Sequence, residues 1–476
     1  MSASTDWFAG LVGAVQDGHS IDAGEWDVPA GFCWTRHWFD QLADQFPARA
    51  ALDLTLVGGT VVTFGELSAW STAASAWLSD RGVLAQQRVM VGLPESLDLW
   101  VLRLACDRLG AVYVEVQPEL APADWDFRME LCVPEWTVVA RSLTNRSGMR
   151  HALPSWPGLR TAERPDSDFD PRLPGWAYFS SGTTGAPKMV LHSRSSYAVG
   201  HLSGVAFHRL HAGDRHINLA GPGWAKHAWS SHFVPWATGA TIVAGSSLTS
   251  AEAAKALPAA RVTSICASPT RWRSLLPHLK PWPELREATC AGEVADESLR
   301  ENAGALMGVP LRSVYGLTEL TAVLGQLSSE GCLQLLPGYE ARLSASGQLA
   351  VRSLVPRFLG YVRRDQGWRA HDEDWFDTGD LADACESGYI VRGRVDELVN
   401  RDGHLLSPQI PESELEAISG VREAMVYTSP ETGRVTAQVV PELGPVTVPD
   451  GIVEHIDWVP KLPRTLSGKL CRPRPR

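Results

Sequence analysis

The sequence predicts an α/β protein in which helices surround a largely parallel β-sheet. Three observations lead to this prediction: short apolar runs alternate with helical stretches, no repeat of fixed period interrupts them, and 44% of the 476 residues are hydrophobic. Alternating strands and helices are typical of βαβ units around a parallel sheet. Because a chain of this length exceeds one ordinary domain, we expect two or more domains.

The elements can be followed along the chain. The run that starts at Val61 predicts a strand and then an amphipathic helix, and the segment from Arg88 predicts a strand, a turn, a helix and a second strand. The apolar runs at 240–245 and 261–269 predict buried strands between helices. The polar, Pro-rich segment 141–175 predicts a surface connection.

Charge and composition exclude several classes of protein. Lys and Arg total 43 against 54 Asp and Glu, a formal net charge of −11, so no basic surface for nucleic acid is expected. No apolar run approaches the roughly 20 residues that span a bilayer, and the first residues lack the pattern of a signal peptide. The eight cysteines show no zinc-ligand spacing. We therefore expect a cytoplasmic protein without a membrane or nucleic-acid partner; the sequence indicates no oligomeric state.

A loop of glycines and hydroxyl residues closes on a lysine after the strand-forming run WAYF. Glycines let backbone N–H groups approach an anion, hydroxyls donate to phosphate oxygens, and a lysine adds positive charge. The pattern differs from G-x-x-x-x-G-K-[ST], because the lysine lies three residues after the last glycine and no Ser or Thr follows it. A flexible linker is the alternative, but the flanking WAYF and Pro-Lys favour a polyphosphate site. The predicted phosphate-binding residues are Ser180, Ser181, Gly182, Thr183, Thr184, Gly185 and Lys188.

Further motifs follow this loop in order. They are Gly292-Glu293, YGLTE ending at Glu319, DTGD ending at Asp380, GRVDELVNRDG starting at Gly393, and PRTLSGK ending at Lys469. With SSGTTGAPK, they resemble the motifs of the adenylate-forming superfamily of acyl-CoA synthetases, peptide-synthetase adenylation domains and luciferases. The resemblance covers essentially the whole chain. It implies an ATP- and Mg²⁺-dependent, AMP-forming ligase with a large N-terminal domain of parallel-type sheets wrapped by helices and a small α+β C-terminal lid.

These motifs carry the chemistry that an adenylation site needs. The ring of Tyr315 can stack on adenine. Thr318 supplies a hydroxyl for phosphate, and Glu319 supplies a carboxylate for magnesium, which prefers hard oxygen ligands. Taken alone, YGLTE would favour an ordinary strand-to-helix turn with a cap. Asp380 can accept hydrogen bonds from the ribose hydroxyls. The nucleotide-binding residues that the resemblance implies are Gly292, Glu293, Tyr315, Gly316, Asp380 and Arg394.

The resemblance also implies a moving lid. Asp396 would be the hinge between an N-terminal adenylation domain, 1–395, and a lid, 396–476. Lys469 resembles the catalytic lysine that bridges the acid carboxylate and the α-phosphate, where a cation stabilises the charge that develops on phosphorus. A basic C-terminal tail is the alternative interpretation of the last segment.

The segment GPGWAKHAWSSHFVPWATGA at 221–240 resembles the corresponding region of medium-chain and aromatic acyl-CoA synthetases. The resemblance implies that it lines the acid pocket through Trp224, His227 and Trp229, with His227 also a catalytic candidate. Ser268 is expected to form another wall. Aromatic and titratable side chains together favour a flat or aromatic acid, but packing against a helix face is an alternative role for the tryptophans.

The chain departs from the family pattern in its lid. Only residues 397–476 follow the hinge, Met189 stands where glycine is usual, and Leu405 stands where acyl-CoA synthetases commonly carry arginine. CoA or a carrier-protein thiol is the first expected acceptor of the activated small-molecule acid. The short lid leaves open transfer to an amine, or adenylation of nitrite for diazotisation of an aromatic amine. A catalytically inactive nucleotide-binding partner is a further alternative, which the presence of Lys469 and Glu319 disfavours.

Overall fold

The computed structural model describes residues 2–139, 153–159, 162–165, 169–180, 187–327, 331–356, 358–364, 367–401, 404–464 and 470–473. The described helices are α1 Ala3–Asp17, α2 Asp40–Gln45, α3 Phe64–Ser79, α4 Leu97–Leu109, α5 Pro122–Cys132, α6 Arg194–Gly200, α7 Leu202–His208, α8 Ala225–Ala228, α9 Val234–Ala237, α10 Ser250–Ala259, α11 Pro269–Leu275, α12 Glu297–Met307 and α13 Gln409–Glu416.

The described strands are β1 Ala50–Asp53, β2 Val61–Thr63, β3 Arg88–Gly92, β4 Val112–Glu115, β5 Trp136–Val139, β6 Pro174–Ser180, β7 Lys188–Ser193, β8 Arg215–Asn218, β9 Thr241–Val243, β10 Ser264–Ala267, β11 Glu287–Ala291, β12 Leu311–Leu317, β13 Thr321–Gly325, β14 Gln334–Leu335, β15 Tyr339–Leu343, β16 Gln348–Ser353, β17 Phe358–Arg363, β18 Gly367–Ala370, β19 Trp375–Cys385, β20 Gly388–Arg394, β21 Val399–Arg401, β22 His404–Leu406, β23 Val421–Thr428, β24 Val435–Pro441 and β25 His455–Trp458.

Two large mixed sheets dominate the fold. One has nine strands in the order β14-β13-β12-β11-β10-β8-β9-β1-β2, and the other has seven in the order β18-β17-β7-β6-β4-β3-β5. The central pairs β8–β10, β10–β11 and β11–β12 of the first sheet, and β3–β4 and β4–β6 of the second, are parallel. The nine-stranded sheet ends in antiparallel pairs at both edges, whereas the seven-stranded sheet ends in the antiparallel pair β17–β18 at one edge and in the parallel pair β3–β5 at the other. The predicted α/β class is therefore confirmed.

The segments singled out in the sequence form the predicted elements. Strand β2 leads into α3, whose first turn is closed by a reciprocal capping box between Thr63 and Glu66. Elements β3, α4 and β4 follow in the predicted order, and Gly110 ends α4 with a φ of 68°, a conformation that favours glycine. The strands predicted at 240–245 and 261–269 are confirmed by β9 and β10.

About half of the predicted surface connection 141–175 lies outside the described residues. Within it, however, Trp156 is buried, and its indole N–H donates to Asp98 at 2.6 Å. This part of the connection is anchored to the protein, and the prediction of a surface connection is wrong for Trp156.

The chain divides into two compact units, one of residues 1–340 and 352–375 and the other of 341–351 and 376–476. The first unit carries the two large sheets. The second carries most of the four-stranded sheet β15-β16-β19-β20, the hairpin β21-β22, and the sheet β23-β24-β25 with Leu415 of α13 in its core. The proposed hinge at Asp396 stays a prediction, because a hinge is a property of motion. No helix among the described residues is long and apolar enough to span a bilayer.

The core of the first unit is rich in buried, uncharged histidines. Burial lowers the pKa of His192 to about 4 and that of His216 to about 3, each from an ordinary value of 6.5. Burial likewise lowers the pKa of three further core histidines, which are His201, His208 and His232. The folded protein therefore resists protonation at positions where the unfolded chain accepts protons.

This difference predicts a steep loss of stability in acid. Because the folded-state pKa values lie below the unfolded ones, the stabilisation is complete above pH 6.5. It falls as the pH decreases from 6.5 toward 4, by about 1.4 kcal/mol per pH unit for each such histidine. Urea unfolding of His232→Leu between pH 6.5 and 5 should show a shallower pH dependence than the wild type. His455→Asn is the matched control, because His455 is exposed. An unchanged slope in His232→Leu would contradict this account.

Candidate active site

The predicted phosphate loop joins two adjacent strands of the seven-stranded sheet. Strands β6 and β7 are antiparallel, and Ser180, the last residue of β6, lies opposite Lys188, the first residue of β7. The intervening candidates, Ser181 to Gly185, lie outside the described residues. The pairing of β6 with β7 therefore holds the two ends of the loop side by side, at the point where β6 ends and β7 begins.

Lys188 forms an ion pair with the predicted magnesium ligand. Its Nζ lies 2.8 Å from Oε1 of Glu319, and the two side chains are 17% and 6% exposed. The hydroxyl of Tyr361 donates to the same Oε1 at 3.0 Å, and the Lys188 ammonium lies 4.0 Å from the centre of the Tyr361 ring. The structure thus brings together a cation suited to phosphate and a carboxylate suited to a metal, with a tyrosine against both.

The YGLTE motif forms the end of β12 and a tight return into β13. A Cβ at Gly316 would stand 2.0 Å from the carbonyl oxygen of Thr321, so only glycine fits there. The carbonyl of Thr318 accepts a hydrogen bond from Nε2 of His192 at 2.7 Å. Because burial lowers the pKa of His192 to about 4, its ring is neutral near pH 7 and its Nε2–H can serve as the donor. His192 thereby holds the turn that carries Thr318 and Glu319.

The parallel strands β10 and β11, which lie next to β12 in the nine-stranded sheet, carry further candidates at their carboxyl ends. Gly292 and Glu293, predicted for the nucleotide, follow β11, and Ser268, predicted for the acid pocket, follows β10. Glu293 accepts a hydrogen bond from the Thr270 hydroxyl at 2.6 Å. Since ligands bind outside the carboxyl ends of such strands, this edge is a candidate nucleotide wall. Tyr315 lies in the adjacent β12 and is partly exposed.

The proposed acid-pocket residues take different positions. Trp224 is half-buried, and the neighbouring Lys226 donates to the carbonyl of Ala291 at 2.8 Å, which fastens this loop to the end of β11. His227 and Trp229 are buried in the core, where the Trp229 ring packs 4.8 Å from that of His208. The loop that carries Trp224 is therefore fastened to the end of β11, whereas His227 and Trp229 lie deeper in the core.

His227 belongs to a buried charged network. Its Nδ1 lies 2.7 Å from Nη2 of Arg103, and its Nε2 lies 3.2 Å from Oε1 of Glu95. Arg103 also makes a bidentate contact with Glu115, and Glu115 accepts the backbone N–H of Gly223 at 2.7 Å. Burial and the nearby Arg103 lower the pKa of His227. Both ring nitrogens of His227 have a partner in this network. In this arrangement, His227 therefore supports the loop that carries Trp224 from the side of the core.

The remaining nucleotide candidates cluster within the second unit. Asp380 and Arg394 are register partners across β19 and β20. Nε of Arg394 lies 4.0 Å from Asp380 and 3.2 Å from Asp396, and Nη1 donates to the carbonyl of Thr378 at 2.8 Å. The predicted ribose ligand, phosphate contact and hinge are therefore neighbours. The candidate catalytic lysine, Lys469, lies outside the described residues.

A magnesium ion bound mainly through substrate fits this donor set. In the described part of the chain, no group of three His, Cys, Asp or Glu side chains could hold a metal ion. Mg²⁺ is commonly bound through one or two carboxylates together with substrate phosphates and water. The buried carboxylate of Glu319, beside a phosphate-loop lysine, offers such a ligand.

Sequence reasoning missed three residues of this site: His192, Lys226 and Tyr361. The contacts of His192 and Tyr361 join segments far apart in the chain, which no local pattern reveals. Lys226 could have been found in the GWAK run, and Tyr361 in the Gly-Tyr pair at 360–361.

Comparisons with known proteins bear on this geometry. The model of the family described as AMP-binding enzyme matches residues 39–347. 4-Hydroxybutyrate–CoA ligase 1 of Metallosphaera sedula is 28% identical over 93% of this chain and 89% of its own length. Mitochondrial acyl-coenzyme A synthetase ACSM5 of Mus musculus is 26% identical over 87% of this chain and 84% of its own.

Solved structures agree in fold. The crystal structure of the anthranilate CoA ligase AuaEII in complex with anthranoyl-AMP superposes with a TM-score of 0.80 at 20% identity, covering 94% of this chain and 97% of that one. A benzoate CoA ligase from Burkholderia xenovorans LB400 gives a TM-score of 0.80 at 21% identity, covering 92% and 98%. These identities establish similarity of fold.

Proposed function

Because this chain belongs to the family of AMP-binding enzymes, we propose that it activates a carboxylic acid with ATP and passes the acyl group to CoA. It is an AMP-forming ligase. The observation that carries the proposal is the ion pair of Lys188 and Glu319 at 2.8 Å, which puts a phosphate-binding cation beside a candidate metal carboxylate. The sequence relatives named above are ligases or synthetases of acyl-CoA by name, which supports CoA as the acceptor.

The first step is in-line attack of a carboxylate oxygen on the α-phosphorus of ATP. A new P–O bond forms while the bond to the bridging oxygen of pyrophosphate breaks, which yields acyl-AMP and pyrophosphate. Lys188 and the loop of 181–185 would hold the leaving phosphates, and Lys469 would stabilise the charge on the α-phosphate. Magnesium, when bound, supplies further charge neutralisation, and Glu319 would hold it.

In the second step, the thiol of CoA attacks the acyl carbonyl. The C–S bond forms, the thiol proton passes to solvent, and AMP leaves with the oxygen that linked it to the acyl group. Asp380 and Arg394 would hold the ribose and phosphate of the nucleotide, and the lid after Asp396 would turn between the two steps. A cytoplasmic location is part of this proposal.

The acid itself is proposed by class. Trp224, half-buried in the loop that Lys226 fastens to the end of β11, offers a flat apolar face. This favours an aromatic or short-chain acid over a long flexible one. The network of Glu95, Arg103, Glu115 and His227 would then hold the loop that presents Trp224.

The test is release of pyrophosphate and AMP with ATP and Mg²⁺ across a panel of acids. The panel holds aromatic and short aliphatic carboxylates and nitrite, each with and without CoA. We expect release with at least one carboxylate, faster turnover when CoA is added, and an acyl-CoA product detected by mass spectrometry. Release with nitrite alone, or release from a carboxylate that is indifferent to CoA but accelerated by an amine, would overturn CoA as the acceptor. Absence of release with every acid would contradict the activity.

A further inference from the structure

Tyr361 contacts both charged residues of the candidate phosphate and metal site. Its hydroxyl donates to Oε1 of Glu319 at 3.0 Å, and its ring faces the Lys188 ammonium at 4.0 Å from the ring centre. Lys188 and Glu319 are themselves 2.8 Å apart. The tyrosine thus contacts both members of one ion pair through two different parts of its side chain.

The sheet fixes this position of Tyr361. On β17, Tyr361 pairs with Val190 of β7 on one side and with Arg369 of β18 on the other. Lys188 lies two residues before Val190, so its side chain leaves the same face of the sheet as that of Tyr361. The preceding Gly360 sits where the register shifts, and a Cβ there would stand 2.1 Å from the carbonyl oxygen of Arg369. The irregular backbone at this glycine sets the direction in which Tyr361 points.

In the proposed function, binding of nucleotide would rearrange the ion pair. ATP phosphates would compete with Glu319 for the ammonium of Lys188, and magnesium would compete with Lys188 for the carboxylate. Leaving a buried charge without a partner costs free energy. A second partner that stays in contact with Lys188 and Glu319 therefore lowers the cost of replacing their ion pair with contacts to the ligands. Tyr361 is such a partner, because its hydroxyl already donates to Glu319 at 3.0 Å and its ring already faces the Lys188 ammonium.

We propose that Tyr361 is a positioning residue of the adenylation site: its hydroxyl holds the Glu319 carboxylate for magnesium, and its ring holds the Lys188 ammonium for the phosphates. The inference rests on the proposed function, since it concerns the same nucleotide site. The hydroxyl and the ring of Tyr361 thus have separate roles, and substitutions that remove one or both can distinguish them.

Ligand-induced thermal stabilisation tests this assignment without turnover. The shift in Tm caused by ATP is measured while Mg²⁺ is titrated, and again at saturating Mg²⁺ while ATP is titrated. The proteins are the wild type, Tyr361→Phe and Tyr361→Leu. Tyr389→Phe is the matched control, because the Tyr389 hydroxyl donates to the carbonyl of Ala341 at 3.0 Å, as a structural hydrogen bond. The Tm without ligand establishes that each variant is folded.

The two substitutions should act differently. Tyr361→Phe should raise the Mg²⁺ concentration for half-maximal shift by about three- to tenfold, because it removes one hydrogen bond to a charged group. The ATP dependence should stay near that of the wild type. Tyr361→Leu should in addition raise the ATP concentration for half-maximal shift by about two- to fivefold, because the ring contact with the ammonium is lost.

Other outcomes have definite meanings. A purely structural role would lower the Tm of the unliganded variants and leave both midpoints unchanged, and this result would overturn the inference alone. Equal Mg²⁺ midpoints for Tyr361→Phe, Tyr389→Phe and the wild type would do the same. Absence of any ATP-dependent shift in the wild type would overturn the proposed function and this inference with it.

Discussion

Replacing Lys469 with Ala should slow acid-dependent pyrophosphate release by about 10²- to 10³-fold, the usual cost of removing one group that stabilises transition-state charge. The lysine would contact the α-phosphate and the attacking carboxylate only in the adenylation step. ATP binding, measured by thermal shift, should therefore change much less than the rate. Lys461→Ala is the matched control, since Lys461 is an exposed lysine of the same C-terminal region.

The second half-reaction gives an internal check on that variant. When synthetic acyl-AMP is supplied with CoA, Lys469→Ala should form thioester at close to the wild-type rate, because adenylation is bypassed. Equal loss in both half-reactions would show that the residue acts through the structure of the lid. Pyrophosphate release as fast as that of Lys461→Ala would contradict a catalytic role.

Glu319→Gln should cause a loss of similar size, about 10²- to 10³-fold in pyrophosphate release at physiological Mg²⁺. The amide keeps the shape of the side chain and can still accept a hydrogen bond from Tyr361, but it lacks the negative charge that binds a metal and balances Lys188. Raised Mg²⁺ should recover part of the activity, because the defect lies in metal affinity.

A surface carboxylate provides the control for this substitution. Glu340 pairs with Arg352 at 2.8 Å with both side chains about two-fifths exposed, so Glu340→Gln should leave the rate near that of the wild type. If Glu319→Gln retained wild-type activity at low Mg²⁺, Glu319 would not be the metal ligand. The assignment of the site would then have to move to another carboxylate.

The fold class was largely predictable because it rests on local information. The alternation of β2, α3, β3, α4 and β4 follows from apolar periodicity, a capping box at Thr63 and a left-handed glycine at Gly110, all contained within short segments. The phosphate loop and the ordered motifs carry their chemistry in contiguous residues. These motifs can therefore be placed on strands and turns from the sequence alone.

The burial of the side chains proposed for the acid pocket was not predictable. His227 stands in sequence among candidates for a pocket, yet its ring nitrogens meet Arg103 and Glu95, which lie more than a hundred residues away. Whether a side chain faces a cavity or the core depends on such distant partners. Tyr361 was missed for the same reason, since its role depends on contacts with Lys188 and Glu319, which lie in other parts of the chain.

The most direct test of acyl adenylation is the fate of isotopically labelled oxygen. An acid of the panel that supports turnover is prepared with ¹⁸O in both carboxylate oxygens and incubated with ATP, Mg²⁺ and CoA, and the products are analysed by mass spectrometry. Attack of the carboxylate on the α-phosphorus predicts one ¹⁸O in AMP, one in the thioester and none in pyrophosphate. Unlabelled AMP, or label in pyrophosphate or phosphate, would contradict the formation of an acyl-adenylate by this enzyme.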